Sequence, residues 1–198
     1  MQALLKEAVN HSFNRITVDG EMSTNDTVLF LASGASGIRP DSADMDGLRA
    51  ALEAVLKRVA LMMVADGEGA TKIMRLRVAG AETEASAMAV ARAIAGSPLV
   101  KTAMHGGDPN WGRIISSAGA AMAGRSLPKA SLRLCGVTVV ENGAGCAVSD
   151  ADRARMTADV KLPEVDIEMD LGLGTSFTEL YFADMGHEYI TVNAEYHS

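Results

Sequence analysis

Residues able to do chemistry gather in a few short stretches of this sequence. Val64-Ala65-Asp66-Gly67-Glu68-Gly69-Ala70-Thr71-Lys72 sets one carboxylate between two glycines, with Asp66 before it and Thr71-Lys72 after it. A phosphate loop needs two glycines around four residues and then Lys-Ser/Thr, so that backbone N–H groups cradle the phosphates. Here the glycines flank a single anionic residue, which repels phosphate. An EF-hand calcium loop needs further carboxylates and a closing glutamate, and they are missing. Two readings remain. One is a helix-to-strand connection whose glycines supply positive φ. The other is a Glu68 carboxylate that meets an ammonium group, with open backbone on both sides giving a ligand room to approach.

His105-Gly106-Gly107-Asp108-Pro109-Asn110-Trp111-Gly112-Arg113 is the second stretch. Asp108 reads as a helix N-cap with Pro109 at the first helical position. Paired glycines ahead of a helix N-terminus also suit an anion or a docked backbone. His105 has no partner at catalytic spacing and reads as structural or exposed. The third stretch, Ser23-Thr24-Asn25-Asp26-Thr27, offers hydroxyls, an amide and a carboxylate, and alone it reads as a turn. There is no G-x-S-x-G elbow, and local sequence gives Ser23, Thr24, Ser116 and Ser117 no histidine partner. No nucleophile announces itself.

The elements that must position these stretches follow from periodicity. Ala3, Leu4, Leu5, Ala8, Val9, Ser12 and Phe13 have helical spacing. A strand, a polar loop and a second apolar strand are expected over residues 15–33. A long helix should run from a cap at Asp41 or Ser42 to about Val64, burying Leu48, Leu52, Val55, Val59 and Met62/Met63. Residues 72–80 alternate as a strand, and 83–97 form an Ala-rich helix that Gly96 and Pro98 end. A small-residue helix covers 114–124. From Ala130 onward the pattern is strands, the last of them over residues 187–196, interrupted by a short helix from Ser149-Asp150. The expected fold class is α+β, with mixed, largely antiparallel sheets layered with helices. The chain reads as one main domain over residues 1–198, with a strand-rich C-terminal part from about 130.

The 198 residues are 48% apolar but only 4% aromatic, so the core must rest on aliphatic residues and the twelve methionines. A net charge of −7 argues against nucleic-acid binding, which needs clustered Lys and Arg. No apolar run approaches the roughly 20 residues that span a bilayer, and the N-terminus does not read as a signal peptide. Cys135 and Cys146 share no metal-ligand spacing and are expected as free buried thiols. These features point to a soluble cytoplasmic protein.

Taken together, FNRITVDGEMSTNDTV, ADGEGATK, ARAIAGSPLVKTAMHGGDPNWGRI, VENG and the closing ITVNAEYHS resemble the bifunctional ornithine acetyltransferase/N-acetylglutamate synthase family of arginine biosynthesis. The resemblance runs along nearly the whole chain, in order. It implies an ArgJ/DmpA-like, N-terminal-nucleophile type architecture. It also implies a precursor that cuts itself before a threonine, which becomes the nucleophile of a β chain, and an α chain that supplies more of the site. This sequence resembles the β chain without its first segment, so the family's catalytic threonine is expected upstream of Met1. The resemblance further implies ping-pong acetyl transfer from N-acetylornithine to glutamate, acetyl-CoA as a co-substrate in bifunctional members, no cofactor or metal, and an α2β2 heterotetramer. Carried over by position, Glu68, Asn193 and Ser198 are the substrate-binding residues, with Asp26 and Asp108 as further candidates. Ser198 stands where the family often has Thr, which keeps a hydroxyl. A reading of another class is a catalytically silent fragment that acts as a structural partner.

Overall fold

The computed structural model describes residues 1–35, 37 and 42–196, without the side chains of residues 42 and 43. Its centre is strand β2. Met74, Leu76 and Val78 are fully buried on one face of that strand, while Arg75 and Arg77 are exposed on the other, as the period of two dictates. The strands are β1 (Ile16–Thr17), β2 (Ile73–Ala81), β3 (Ser131–Leu134), β4 (Val137–Glu141), β5 (Ala144–Gly145), β6 (Glu164–Asp170) and β7 (Ser176–Ala183). They form one sheet in the order β1-β7-β2-β6-β3-β4-β5. β2 runs parallel to β6, from Ile73 opposite Glu164 to Ala79 opposite Asp170, and antiparallel to β7, with Ile73 opposite Ala183. β1 joins β7 in parallel, and the remaining pairs are antiparallel. The sheet is mixed and largely antiparallel, as expected. Strands from residue 131 onward share it with β1 and β2.

Helices are α1 (Gln2–Asn10), α2 (Ser42–Ala65), α3 (Glu84–Ala95), α4 (Pro98–Gly106), α5 (Trp111–Ala121), α6 (Asp150–Asp159) and α7 (His187–Glu195). One face of the sheet carries the core. Ala87, Val90, Ala91 and Ile94 of α3, with Val100 and Met104 of α4 and Ile114 and Ala118 of α5, close over Met74, Leu76, Ile167, Leu180 and Phe182. Small alanines let α3 approach the strands, and this compensates for the scarcity of aromatic rings. The opposite face keeps charges: Arg133 pairs with Glu168 at 3.5 Å and Arg75 with Glu179 at 3.4 Å. On that face Lys57 of α2 sits 5.1 Å above the Tyr181 ring.

Four expectations are corrected. Residues 26–33 form no strand; a strand exists only in a ladder, and Leu29 and Leu31 stand 75% and 88% exposed. α2 has the expected length, but it buries Ala60 and Val64, leaving Val55, Val59, Met62 and Met63 exposed; of its two proposed caps, Asp41 lies outside the described residues. Pro98 ends nothing alone: Gly96 caps α3, and Ser97 then accepts from Val100 N as the N-cap of α4, with Pro98 at its favoured first position. Residues 187–195 are helix, not strand. Both cysteines are free but half-buried, and burial pushes the Cys135 thiol up to about 11. No helix among the described residues is long and apolar enough to cross a membrane.

α2 exposes Val55, Val59, Met62 and Met63, and Leu29 and Leu31 are exposed as well; so much exposed apolar side chain is characteristic of contact surfaces. The isolated chain should therefore self-associate at micromolar concentration in analytical ultracentrifugation. A monodisperse monomer across that range would contradict this.

Candidate functional site

The loop carrying Glu68 leaves α2 and enters β2. Two of its donors, Thr71 N and Lys72 N, bond Asp184 Oδ1 at 2.7 and 2.9 Å. Thr71 Oγ1 donates to Asp184 Oδ2 at 2.6 Å, and His105 Nδ1 donates to the same oxygen at 2.7 Å. Four donors fill the acceptor capacity of a carboxylate. The Asp184 side chain has no exposed surface. Burial pushes its carboxyl up, but the bonds from Thr71, His105 and Lys72 outweigh that and hold it below the usual range. Lys72 Nζ donates to Met104 O at 2.6 Å and His105 O at 3.1 Å, where a cation suits the C-terminal end of α4.

Lys101 is the second buried charge, at 1% exposure. Its ammonium donates to Val18 O at 2.5 Å and also to Ala183 O, tying the ends of β1 and β7 together. Burial brings it down to about 8, against the opposing pull of Asp184 and Asp19. One residue on from Val18, Asp19 Oδ2 accepts from Tyr189 OH at 3.0 Å, anchoring α7. Burial, that hydrogen bond and the charges of Asp19, Glu68 and Glu21 push the Tyr189 phenol up, so it stays a donor.

On this frame Glu68 and Asn193 meet. Asn193 Nδ2 donates to Glu68 Oε2 at 2.5 Å and to Tyr189 O at 2.9 Å. The two residues lie 125 positions apart in the chain. What brings them together is Gly69. It sits at φ +66°, and a Cβ there would lie 2.5 Å from Tyr189 N and 2.9 Å from Glu188 Cβ. At Gly67 a Cβ would meet the Val18 side chain at 2.9 Å. The glycines therefore admit the protein's own segments, which corrects the expectation that they clear a path for a ligand. Glu68 itself is exposed.

The chain was compared with known proteins. The ArgJ family model matches residues 1–198. The chain belongs to the ArgJ family. It is 46% identical over its full length to the arginine biosynthesis bifunctional protein of Nitratidesulfovibrio vulgaris, covering 50% of that protein. To the protein of the same name from Bifidobacterium longum it is 45% identical, covering 49%. A crystal structure of the bifunctional protein from Bacillus halodurans superposes with a TM-score of 0.90 at 34% identity, over 98% of this chain and 92% of that one. The chain thus spans about half the length of the curated ArgJ relatives it matches.

Among the described residues, neither Asp26 nor Asp108, the other candidates, bonds to Glu68 or Asn193. Asp26 lies on the exposed 21–35 segment, where its N–H donates to Ser23 Oγ at 3.0 Å. Asp108 is not the N-cap of α5. Asn110 is the cap, its Oδ1 accepting from Arg113 N at 3.3 Å, while Asp108 Oδ2 accepts from Asn110 Nδ2 at 3.0 Å. The glycine pair closes α4, with Gly107 at φ +67° as its C-cap. Ser198 lies outside the described residues. His105, read as structural or exposed for want of a partner at catalytic spacing in the local sequence, is structural: it donates to Asp184, 79 positions away.

Sequence reasoning missed Asp184, Lys101, Tyr189 and Asp19. Only Lys101 left a signal: it occupies an apolar-face position in the series Ser97, Val100, Lys101, Met104.

Two predictions follow from this geometry. Because the folded Asp184 carboxyl is depressed, the unfolded chain binds more protons on the acid side. Its stabilisation is full above the ordinary aspartate range and falls as pH drops through the folded value. Urea unfolding from pH 7 to pH 3 should show this acid loss, and Asp184→Asn should flatten it while lowering stability at pH 7. Gly69→Ala should cost about 1–3 kcal/mol for the backbone strain alone, and limited proteolysis should then cut first around α7.

Proposed function

We propose that this chain supplies the amino-acid-binding part of a glutamate N-acetyltransferase that moves the acetyl group of N-acetylornithine to glutamate. The observation that carries the reading is the 2.5 Å contact between Glu68 and Asn193. These two residues come from separate motifs, ADGEGATK and VNAEYHS, that the family resemblance assigns to substrate. An exposed carboxylate beside an amide whose carbonyl oxygen is a further acceptor suits an ammonium group.

The proposed chemistry is ping-pong. A threonine hydroxyl oxygen bonds to the acetyl carbon of N-acetylornithine, the C–N bond breaks, and the leaving nitrogen takes a proton. The α-amine of glutamate then attacks the acetyl ester, and the threonine oxygen departs and regains its proton. An N-terminal threonine can use its own α-amine as base, which agrees with the lack of a serine–histidine pair in the motifs of this chain. In this reading the threonine and the oxyanion donors come from the rest of the family's polypeptide, the enzyme works in the cytoplasm, and acetyl-CoA can also load it.

An α chain is the proposed partner, in an α2β2 assembly. Support comes from chain lengths: this chain covers half of the curated relatives yet 92% of the Bacillus halodurans chain. A family member divided into two chains has that signature.

Glu68→Gln in the complete enzyme tests the reading. It keeps an acceptor for Asn193 and removes one charge, so folding stability should change by no more than about 0.5 kcal/mol. A charge-assisted hydrogen bond is worth roughly 1.5–3 kcal/mol, so kcat/KM for N-acetylornithine should fall about ten- to a hundredfold. If Glu68 pairs with the side-chain ammonium, the glutamate half-reaction should suffer less. Unchanged kcat/KM for both substrates would refute the assignment of Glu68.

A further inference from the structure

The Asp184 cluster joins the loop that carries Glu68 to the segment leading into α7, and no proposed chemical step uses it. Its wiring is directional. Asp184 follows β7 and leads within three residues into α7, the helix that carries Asn193. Three of its four donors belong to Thr71 and Lys72, which follow Glu68 by three and four positions. The fourth, His105, packs its ring against Gly186, the N-cap of α7. Each segment that bears a site residue is thus fastened to the same buried carboxylate.

We infer that Asp184 and Thr71 are positioning residues, setting the separation of Glu68 and Asn193 and with it the affinity for the ammonium-bearing substrate. The inference rests on the acetyltransferase reading for its kinetic consequence but not for its structural one. Thr71 is the better handle. The Thr71 and Lys72 N–H groups hold Asp184 whatever the side chain at 71 is, so Thr71→Val removes only the hydroxyl hydrogen bond, and Thr71→Ser restores it.

The experiment pairs two readouts on the complete enzyme, this chain with the remaining half that its relatives carry. Hydrogen exchange should be faster in Thr71→Val by about tenfold at residues 66–70 and 187–195, unchanged in α3 and β2, and back to the native rate in Thr71→Ser. The KM for N-acetylornithine should rise about tenfold, the factor that a single lost hydrogen bond can reach, with kcat within about twofold. A lower melting temperature with both exchange and KM unchanged would overturn the inference, because Thr71 would then serve stability alone. Faster exchange that spreads evenly over the sheet would overturn it too. If Thr71→Val does not fold, His105→Ala, which removes a different donor from Asp184, takes its place under the same criteria. A wild-type enzyme with no turnover of N-acetylornithine would refute the proposed function, and the exchange pattern would still decide the positioning role.

Discussion

Asp184 leaves β7 with its side chain closed off from water, and a bare carboxylate in that position would be severely destabilising. Its four hydrogen bonds remove that penalty by replacing the hydration shell with fixed donors. The replacement works only if the Thr71–Lys72 backbone, the Thr71 hydroxyl and His105 all arrive together. That requirement makes the cluster a constraint on tertiary structure: the end of α4, the entry to β2 and the exit from β7 must converge at one point. Lys101 imposes a matching constraint with opposite charge. Its ammonium needs acceptors, and it takes them from Val18 and Ala183, so the short β1 is held where its own ladder ends.

Close approach then brings Glu68 and Asn193 together on this frame. At Gly67, Gly69 and Gly186 a side chain would collide with Val18, with the first turn of α7, and with the His105 ring respectively. Those contacts bring α7 down onto the Glu68 loop. α7 has no buried residue, and a nine-residue helix is too short to be stable alone. Tyr189 on Asp19, Asn193 on Glu68 and the packing on Gly69 account for its position. The Glu68–Asn193 contact is held almost wholly by polar contacts and backbone proximity.

This division explains what could be read from the sequence. β2, α3 and the hairpin of β3 and β4 are packed against the core, so their burial leaves a period of two or 3.6 in the residue pattern. Residues 187–195 carry Tyr, Ile, Thr and Val in a run that favours a strand, and no burial pattern corrects that impression because nothing there is buried. The apolar residues 28–31 mislead in the same way. That Glu68 and Asn193 meet was legible only through the family resemblance of the motifs around them, since no periodicity links residues 125 positions apart. Asp184 was not legible: an aspartate at the end of an apolar strand is ordinary, and its importance arises from donors that come from residues 71, 72 and 105.

The same geometry bears on how strongly Glu68 can bind a cation. One carboxylate oxygen takes the Asn193 N–H, which leaves the other free, so an ammonium group can join the amide at the carboxylate without displacing it. Strength is then a question of water. An exposed carboxylate–ammonium pair is worth about 0–1 kcal/mol, too little to discriminate among amino acids, whereas a desolvated charge-assisted bond reaches about 1.5–3 kcal/mol. Glu68 is exposed in this chain. If Glu68 reads an ammonium-bearing substrate as proposed, its selectivity requires that a cover exclude water once the substrate is in place, and the remaining half of the family's polypeptide is the proposed source of one. A tenfold or larger effect of removing the Glu68 charge in the complete enzyme, paired with weak ornithine binding by this chain alone, is what that physical argument demands.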